Sequence, residues 1–344
     1  MDATLHEGVV RVGDDARQRF YDARGYGRPL DGNRIELAPV EAAHLLSRGD
    51  IDAVDGMDFR EFLAETGAVL SFVVYKDLRD RGFYLSPARA AWPGVDDDVA
   101  DDDGVDFVVY PRGKGPTDGV VEHRMRVTGE RERVAAGSLG DVVLAVVDED
   151  GDLTYFDTDS APDVGGTESY DPPTGLDADL LADRVVCYES PDEVYERGFY
   201  GQRLFGRNAD DGPLQLSLVE GAYLAQRGVL DVDADAVVGL ARDVEGDRFD
   251  RRLRAYAALR DAGSVPKSGF KFGADFRVYT DFDSVSDLSH SADLVRVVTP
   301  DHTFAPRDLS LDVRLAGGVR KRMVFALTDA TEGIDWLSVA RLTP

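Results

Sequence analysis

One tyrosine, one histidine and one lysine in the last quarter of the chain have the types and spacing to move protons around a phosphodiester. Tyr279 lies in FKFGADFRVYTD (270–281), His290 in LSHSADLVRVV (288–298) and Lys321 in LDVRLAGGVRKRMVFAL (311–327). Cleavage beside a ribose can use the neighbouring 2′-hydroxyl as nucleophile. It needs a base near that hydroxyl, an acid at the departing 5′-oxygen and a cation at the crowded phosphate. Tyr279 is the candidate base, His290 the candidate acid and Lys321 the candidate charge stabiliser, with no metal required. Histidine, with an ordinary pKa of about 6.5, suits proton donation near neutrality. Tyrosine, at about 10, needs positive charge nearby to act as a base, and Lys321, Arg320 and Arg322 are the candidates to supply it.

Taken singly, each residue has a plainer reading. A tyrosine ending a strand usually packs, a histidine between serines usually caps a turn, and Arg-Lys-Arg after a helix complements the helix dipole. The elements that must position them are short β-branched runs at 276–279, 294–298 and 323–327, alternating with one helix at 309–320. That alternation predicts an α/β layer.

The same pattern occurs twice. Residues 26–50 echo 200–229, pairing Gly27 with Gly201, Glu41 with Glu220 and Arg48 with Arg227; 59–82 parallels 249–263, and 106–113 parallels 275–282. The predicted fold is therefore α/β (α+β mixed) and a tandem duplication, each repeat a small mixed N-terminal subdomain plus a nuclease-like α/β C-terminal subdomain. The repeats span 1–159 and 181–344. Between them, 160–180 begins with SAPDVGGTESYDPPTG, whose Pro, Gly, Ser and Asp without periodicity predict a linker. In the first repeat Tyr110 matches Tyr279. Val120 falls near the position of His290, and Gly140 or Asp141 at that of Lys321. His123 sits three residues late, nearer the counterpart of Asp293, so the first repeat is expected to be catalytically inactive and the second active.

A net charge of −27, from 66 acidic and 39 basic residues, would ordinarily argue against a polyanionic partner. Lysine, however, occurs only at 76, 114, 267, 271 and 321, so the basic residues are mostly arginine, and aspartate dominates runs such as 96–103. This is the composition of a protein adapted to molar salt, where a Debye length of roughly 3 Å leaves only close contacts to act. Net charge therefore does not exclude RNA. The single cysteine, Cys187, allows no internal disulfide, and no run of about 18 apolar residues occurs, so a cytoplasmic protein with no membrane partner is expected. His6, His44 and His302 lack ligand-spaced partners, and no Walker loop, dinucleotide fingerprint or serine elbow is present. The expected chemistry uses no metal and no cofactor.

The three blocks together resemble the archaeal tRNA-splicing endonucleases (tRNA-intron endonucleases) of the two-repeat homodimeric type, here in a halophile's composition. The family pattern F-G-x-x-F-R-V-Y is met by Phe272, Gly273, Phe276, Arg277, Val278 and Tyr279, and the His-Ser pair by His290 and Ser291. The pattern V-R-L-A-x-x-V-R-K is met by Val313, Arg314, Leu315, Ala316, Val319, Arg320 and Lys321. The resemblance implies cutting of precursor tRNA at bulge-helix-bulge sites, leaving 2′,3′-cyclic phosphate and 5′-hydroxyl ends, by a homodimer with two active sites. It further implies that Arg314 and Trp336 sandwich a flipped bulge base. Asp148, Glu149, Asp150 and Asp152 match an acidic loop that docks into a basic groove of the partner chain. Two other readings stand beside this one. The first repeat alone suggests a non-catalytic RNA-binding or assembly subunit. A metal-dependent nuclease of related topology would need clustered Asp and Glu with a Lys on adjacent strands, and the sequence has no such cluster.

Overall fold

Short apolar strand segments, and apolar residues recurring every third or fourth position along helices, give the chain two separate hydrophobic cores, one in each of two units. This computed structural model describes residues 2–100, 102, 104–206, 209, 211–329, 331 and 333–344. Asp101 and Asp103 of the acidic run lie outside the described residues. Unit 1 runs to Asp159 and includes Thr303–Leu309 and Arg341–Pro344; unit 2 comprises Ser160–His302 and Ser310–Ala340.

Each unit is a mixed α/β body in two parts. The first part packs short strands against a helix that carries a buried glutamate: α1 (Pro39–Ser47) in unit 1, with Glu41. The second part of unit 1 has helix α2 (Val69–Asp80) and strands β1 (Leu85–Pro87), β2 (Phe107–Val109), β3 (His123–Gly129), β4 (Val143–Val147) and β5 (Leu153–Asp159). Unit 2 repeats this plan. Its first part has helix α3 (Leu218–Gln226), with Glu220 buried. Its second part has helix α4 (Arg248–Asp261) and strands β6 (Val265–Ser268), β7 (Phe276–Tyr279), β8 (Asp293–Val298), β9 (Arg322–Leu327) and β10 (Asp335–Leu342). In both units the strands neighbour one another in chain order, and only the third and fourth are parallel.

A parallel pair needs a crossover. In unit 2 this is helix α5 (Pro306–Gly318). The predicted helix at 309–320 thus starts earlier, because proline fits the first helical position, where its missing N–H is not needed. In unit 1 the same link is a two-residue strand, Val134–Ala135, and one 3₁₀ turn, Ala136–Ser138. The segment expected as a linker at 160–180 lies along unit 2. Gly166 N donates to Ala262 O (2.9 Å), Thr167 N to Thr280 O (3.0 Å), and Leu176–Leu180 pairs as a strand with Val185–Cys187. Ala178 is buried in the unit 2 core, and Val164, Tyr170, Leu176 and Leu180 pack against that core, so both backbone hydrogen bonds and burial order the segment. Among the described residues no helix is long and apolar enough to cross a membrane.

Candidate active site

Strand β7 runs antiparallel to β8, and β9 runs parallel to it. The last residue of β7, the residues just before β8 and the residue just before β9 therefore share one end of the sheet. These are Tyr279, His290 to Ala292, and Lys321. Ala292 N donates to Val278 O (2.8 Å) and Arg322 N to Ala292 O (3.0 Å), which locks the alignment. With adjacent strands about 4.8 Å apart, the backbones of Tyr279 and Lys321 flank the approach to β8 at roughly 10 Å from each other. Lys321 Nζ donates to the carbonyl of Ser291, beside His290.

The turn after α5 aims Lys321. Val319 N and Lys321 N both donate to Ala316 O (3.1 and 2.9 Å), and Arg320 takes a left-handed φ of 57°. That conformation costs a non-glycine residue about 1 kcal/mol. It ends the helix and turns the chain into β9.

Tyr279 is 4% exposed, its ring centroid 5.7 Å from that of Phe199. The guanidinium carbon of Arg277 lies 5.8 Å from the Tyr279 ring centroid. Residues two apart on a strand share a face, so FRVY places this cation beside the phenol. Sequence reasoning looked for it at Lys321, Arg320 and Arg322 instead. Arg322 is held by the carboxylate of Asp293 through two hydrogen bonds (2.9 and 3.0 Å), and Arg320 is exposed. The period-two alternation in β7 was the signal for Arg277. Lys321 is half-buried, and its ammonium lies 5.9 Å from the Phe272 ring centroid. Burial and, next, the charge of Arg277 hold its pKa below the ordinary value, against the opposing pull of Asp293. His290 is exposed and its imidazole takes no partner among the described residues.

Arg314 is exposed on α5. Trp336, on β10 opposite Ala326, is half-buried against the unit 2 core. Among the described residues these two make no cation–π contact with each other. The acidic loop forms the turn between β4 and β5. Asp148 Oδ1 accepts from Asp150 N (3.0 Å) and Asp152 N (2.8 Å), Glu149 pairs with Arg131, and the side chains of Glu149, Asp150 and Asp152 are exposed.

Residues 249–336, which carry the Tyr279, His290 and Lys321 arrangement, match the family described as tRNA intron endonuclease, catalytic C-terminal domain. Residues 1–63 and again 176–240 match its N-terminal domain. The chain is 69% identical to the tRNA-splicing endonuclease of Haloferax volcanii over 344 residues, covering 100% of each chain. It is 58% identical to that of Haloarcula marismortui, again over 100% of each. Identity to that of Methanosarcina mazei is 38%, covering 97% of this chain and 96% of the relative. The chain belongs to the tRNA-splicing endonuclease family. The two matches to the family's N-terminal domain, one in each half, agree with the duplication read from the sequence, and two of these relatives are haloarchaeal, in keeping with the salt-adapted composition.

Strand register superimposes the two repeats of this family member residue by residue. Phe107, Met125 and Val143 align across β2, β3 and β4 as Phe276, Val295 and Val324 do across β7, β8 and β9. The counterpart of His290 is then Val120, that of Lys321 is Gly140, and His123 stands in the place of Asp293. Tyr110 keeps the position of Tyr279 in a different setting. It is fully buried, and its hydroxyl is hydrogen-bonded to Ser86 Oγ (2.8 Å) and Pro93 O (2.9 Å). Burial pushes its pKa up to about 12, opposed by the Ser86 bond. Gly94 closes over it so tightly that a Cβ there would come within 2.3 Å of the hydroxyl oxygen. Among the described residues, unit 1 therefore does not repeat the tyrosine, histidine and lysine set at this end of its sheet.

Proposed function

We propose that this chain excises introns from precursor tRNA by cutting both strands at bulge-helix-bulge sites, without a metal. The observation that carries the reading is the convergence of Tyr279, His290 and Lys321 at one end of the unit 2 sheet. Tyr279, as phenolate, takes the proton of the 2′-hydroxyl as the 2′-oxygen bonds to phosphorus. The bond from phosphorus to the 5′-oxygen breaks, and the His290 imidazolium gives that oxygen its proton. Lys321 faces the extra negative charge on the phosphate, and Arg277 lies beside the Tyr279 ring. The products are a 2′,3′-cyclic phosphate and a 5′-hydroxyl.

The same reading assigns the exposed guanidinium of Arg314 and the accessible part of Trp336 to stacking on a flipped bulge base. A-form RNA hides its major groove, so splayed bases are what such a protein can read. It also makes the protein a homodimer with two active sites, unit 1 being catalytically inactive and its loop carboxylates at Asp148, Glu149, Asp150 and Asp152 docking on the partner.

The test is cleavage of an end-labelled bulge-helix-bulge RNA at molar salt with EDTA present. Cuts inside both bulges with cyclic phosphate ends are expected, and His290→Ala should slow them by about 10²- to 10⁴-fold. Cutting only after a divalent metal is added, or an unimpaired His290→Ala, would remove this mechanism.

A further inference from the structure

We propose that residues 163–168, between the repeats, form a strap that positions the turn joining Tyr279 to His290, with Thr167 as its positioning residue. The proposal rests on the catalytic reading of those two side chains. The strap runs across the sheet end that carries them. At one end the carbonyl of Asp163 accepts from Arg322 Nη2 (2.5 Å), the residue after Lys321. Next, the carbonyl of Val164 accepts from the buried hydroxyl of Ser264 (2.8 Å), just before β6. Gly166 N and Glu168 N donate to Ala262 O and Gly263 O (both 2.9 Å), and the Glu168 carboxylate pairs with the buried Arg260 at 3.6 Å.

Thr167 holds the chain immediately after Tyr279. Its N–H donates to Thr280 O (3.0 Å), and its Oγ1 accepts from Phe282 N (3.1 Å). The hydroxyl proton of Thr167 has Phe282 O (3.3 Å) and Thr280 O (3.4 Å) as acceptors. One threonine thus satisfies both faces of the 280–282 turn. There is no slack on the other side of the strap. A Cβ on Gly166 would lie 2.4 Å from Gly263 O, and one on Gly263 would lie 2.7 Å from Gly166 O.

The pinned turn governs both proposed proton carriers. Phe282 stacks on Phe199 (5.6 Å, 11°), and Phe199 packs on Tyr279 (5.7 Å). On the other side, Ser289 Oγ donates to Asp281 O (2.6 Å), so the residue before His290 hangs from the same turn. A tether between two domains would need none of these bonds. Displacing this turn moves the phenol and the imidazole relative to each other, and errors of about 1 Å in such geometry cost up to about 10²-fold in rate.

The experiment compares Thr167→Val, Thr167→Ser and Tyr279→Phe on a bulge-helix-bulge RNA at molar salt. Single-turnover cleavage reports the chemical step, and binding of the same RNA with 2′-deoxy sugars at both splice positions reports affinity. Thr167→Val is expected to slow cleavage about tenfold with affinity within about twofold, and Thr167→Ser to restore the rate. Thr167→Ala, which adds no bulk, repeats the measurement if valine disturbs folding. Unchanged cleavage in both Thr167→Val and Thr167→Ala, even with a lowered Tm, alongside an inactive Tyr279→Phe, would reject the strap and leave the chemistry standing. A Tyr279→Phe variant that cuts normally would reject the chemistry, and the role of the strap with it.

Discussion

Arg277 shows how much a site depends on which face of a strand a residue occupies. It lies 5.8 Å from the ring of Tyr279, and its charge is one of the two causes that hold the Lys321 pKa down. Like charges disfavour the ammonium form, so Arg277→Gln is expected to raise the Lys321 titration midpoint towards its ordinary value. NMR titration of the Lys321 side chain reads this directly. A midpoint that stays put or falls would separate Arg277 from the electrostatics of Lys321. Tyr279, His290 and Lys321, the proposed proton carriers and cation, were legible as candidates because residue type and spacing single them out. Arg277 was legible only through the period of two along β7, which puts it on the face of Tyr279. Tyr110 has the same type and repeat position as Tyr279. What separates them is a lock of Ser86, Pro93 and Gly94, contributed by a segment with no counterpart in the motif.

At the scale of elements, the glutamate-bearing helices α1 and α3 show duplication followed by divergence. Glu220 of α3 is buried and paired with Lys267 of β6, whose ammonium also donates to the carbonyls of Phe199 and Gly201 (3.0 Å each). Burial alone would push the Glu220 carboxyl up; the Lys267 charge more than offsets it and holds the pKa below the usual range. This cluster ties the first part of unit 2 to its catalytic sheet. Lys267→Met leaves a buried carboxylate without its cation and should cost about 3–5 kcal/mol, measured by denaturant unfolding at high salt; a cost under about 1 kcal/mol would contradict it. In unit 1, Ser86 takes the register position of Lys267. Among the described residues, Glu41 there has only N–H donors, from Gly27 (2.6 Å), Ala38 (2.8 Å) and Trp92 (3.1 Å). Burial pushes its pKa up to about 7 from an ordinary 4.5, against the Ala38 and Gly27 bonds. Because the folded value is raised, the contribution of Glu41 is full below about pH 4.5 and is lost as pH climbs towards 7, by roughly 3 kcal/mol. Glu41→Gln should remove that slope from the stability–pH curve, whatever its own cost. An identical slope in the variant would assign the titration elsewhere.

For the whole molecule, a net charge of −27 sets the conditions under which the fold persists. Lowering salt from about 1 M to about 0.1 M lengthens the Debye screening distance from roughly 3 to 10 Å, so carboxylates that ignored one another begin to repel. The Tm followed by circular dichroism is therefore expected to fall steeply between those salts; a Tm independent of salt would sink this account of the composition. The sequence by itself determined the two repeats, their mixed α/β character and the family pattern, because all of these reside in residue type and local period. Tertiary structure alone decided two further things. Strand order put the approach to β8 between Tyr279 and Lys321, and backbone hydrogen bonds laid the segment that composition marked as a linker along unit 2. Each is a pairing between residues distant in the chain, set by which backbone donors and acceptors meet on folding, and no local pattern of side chains specifies that.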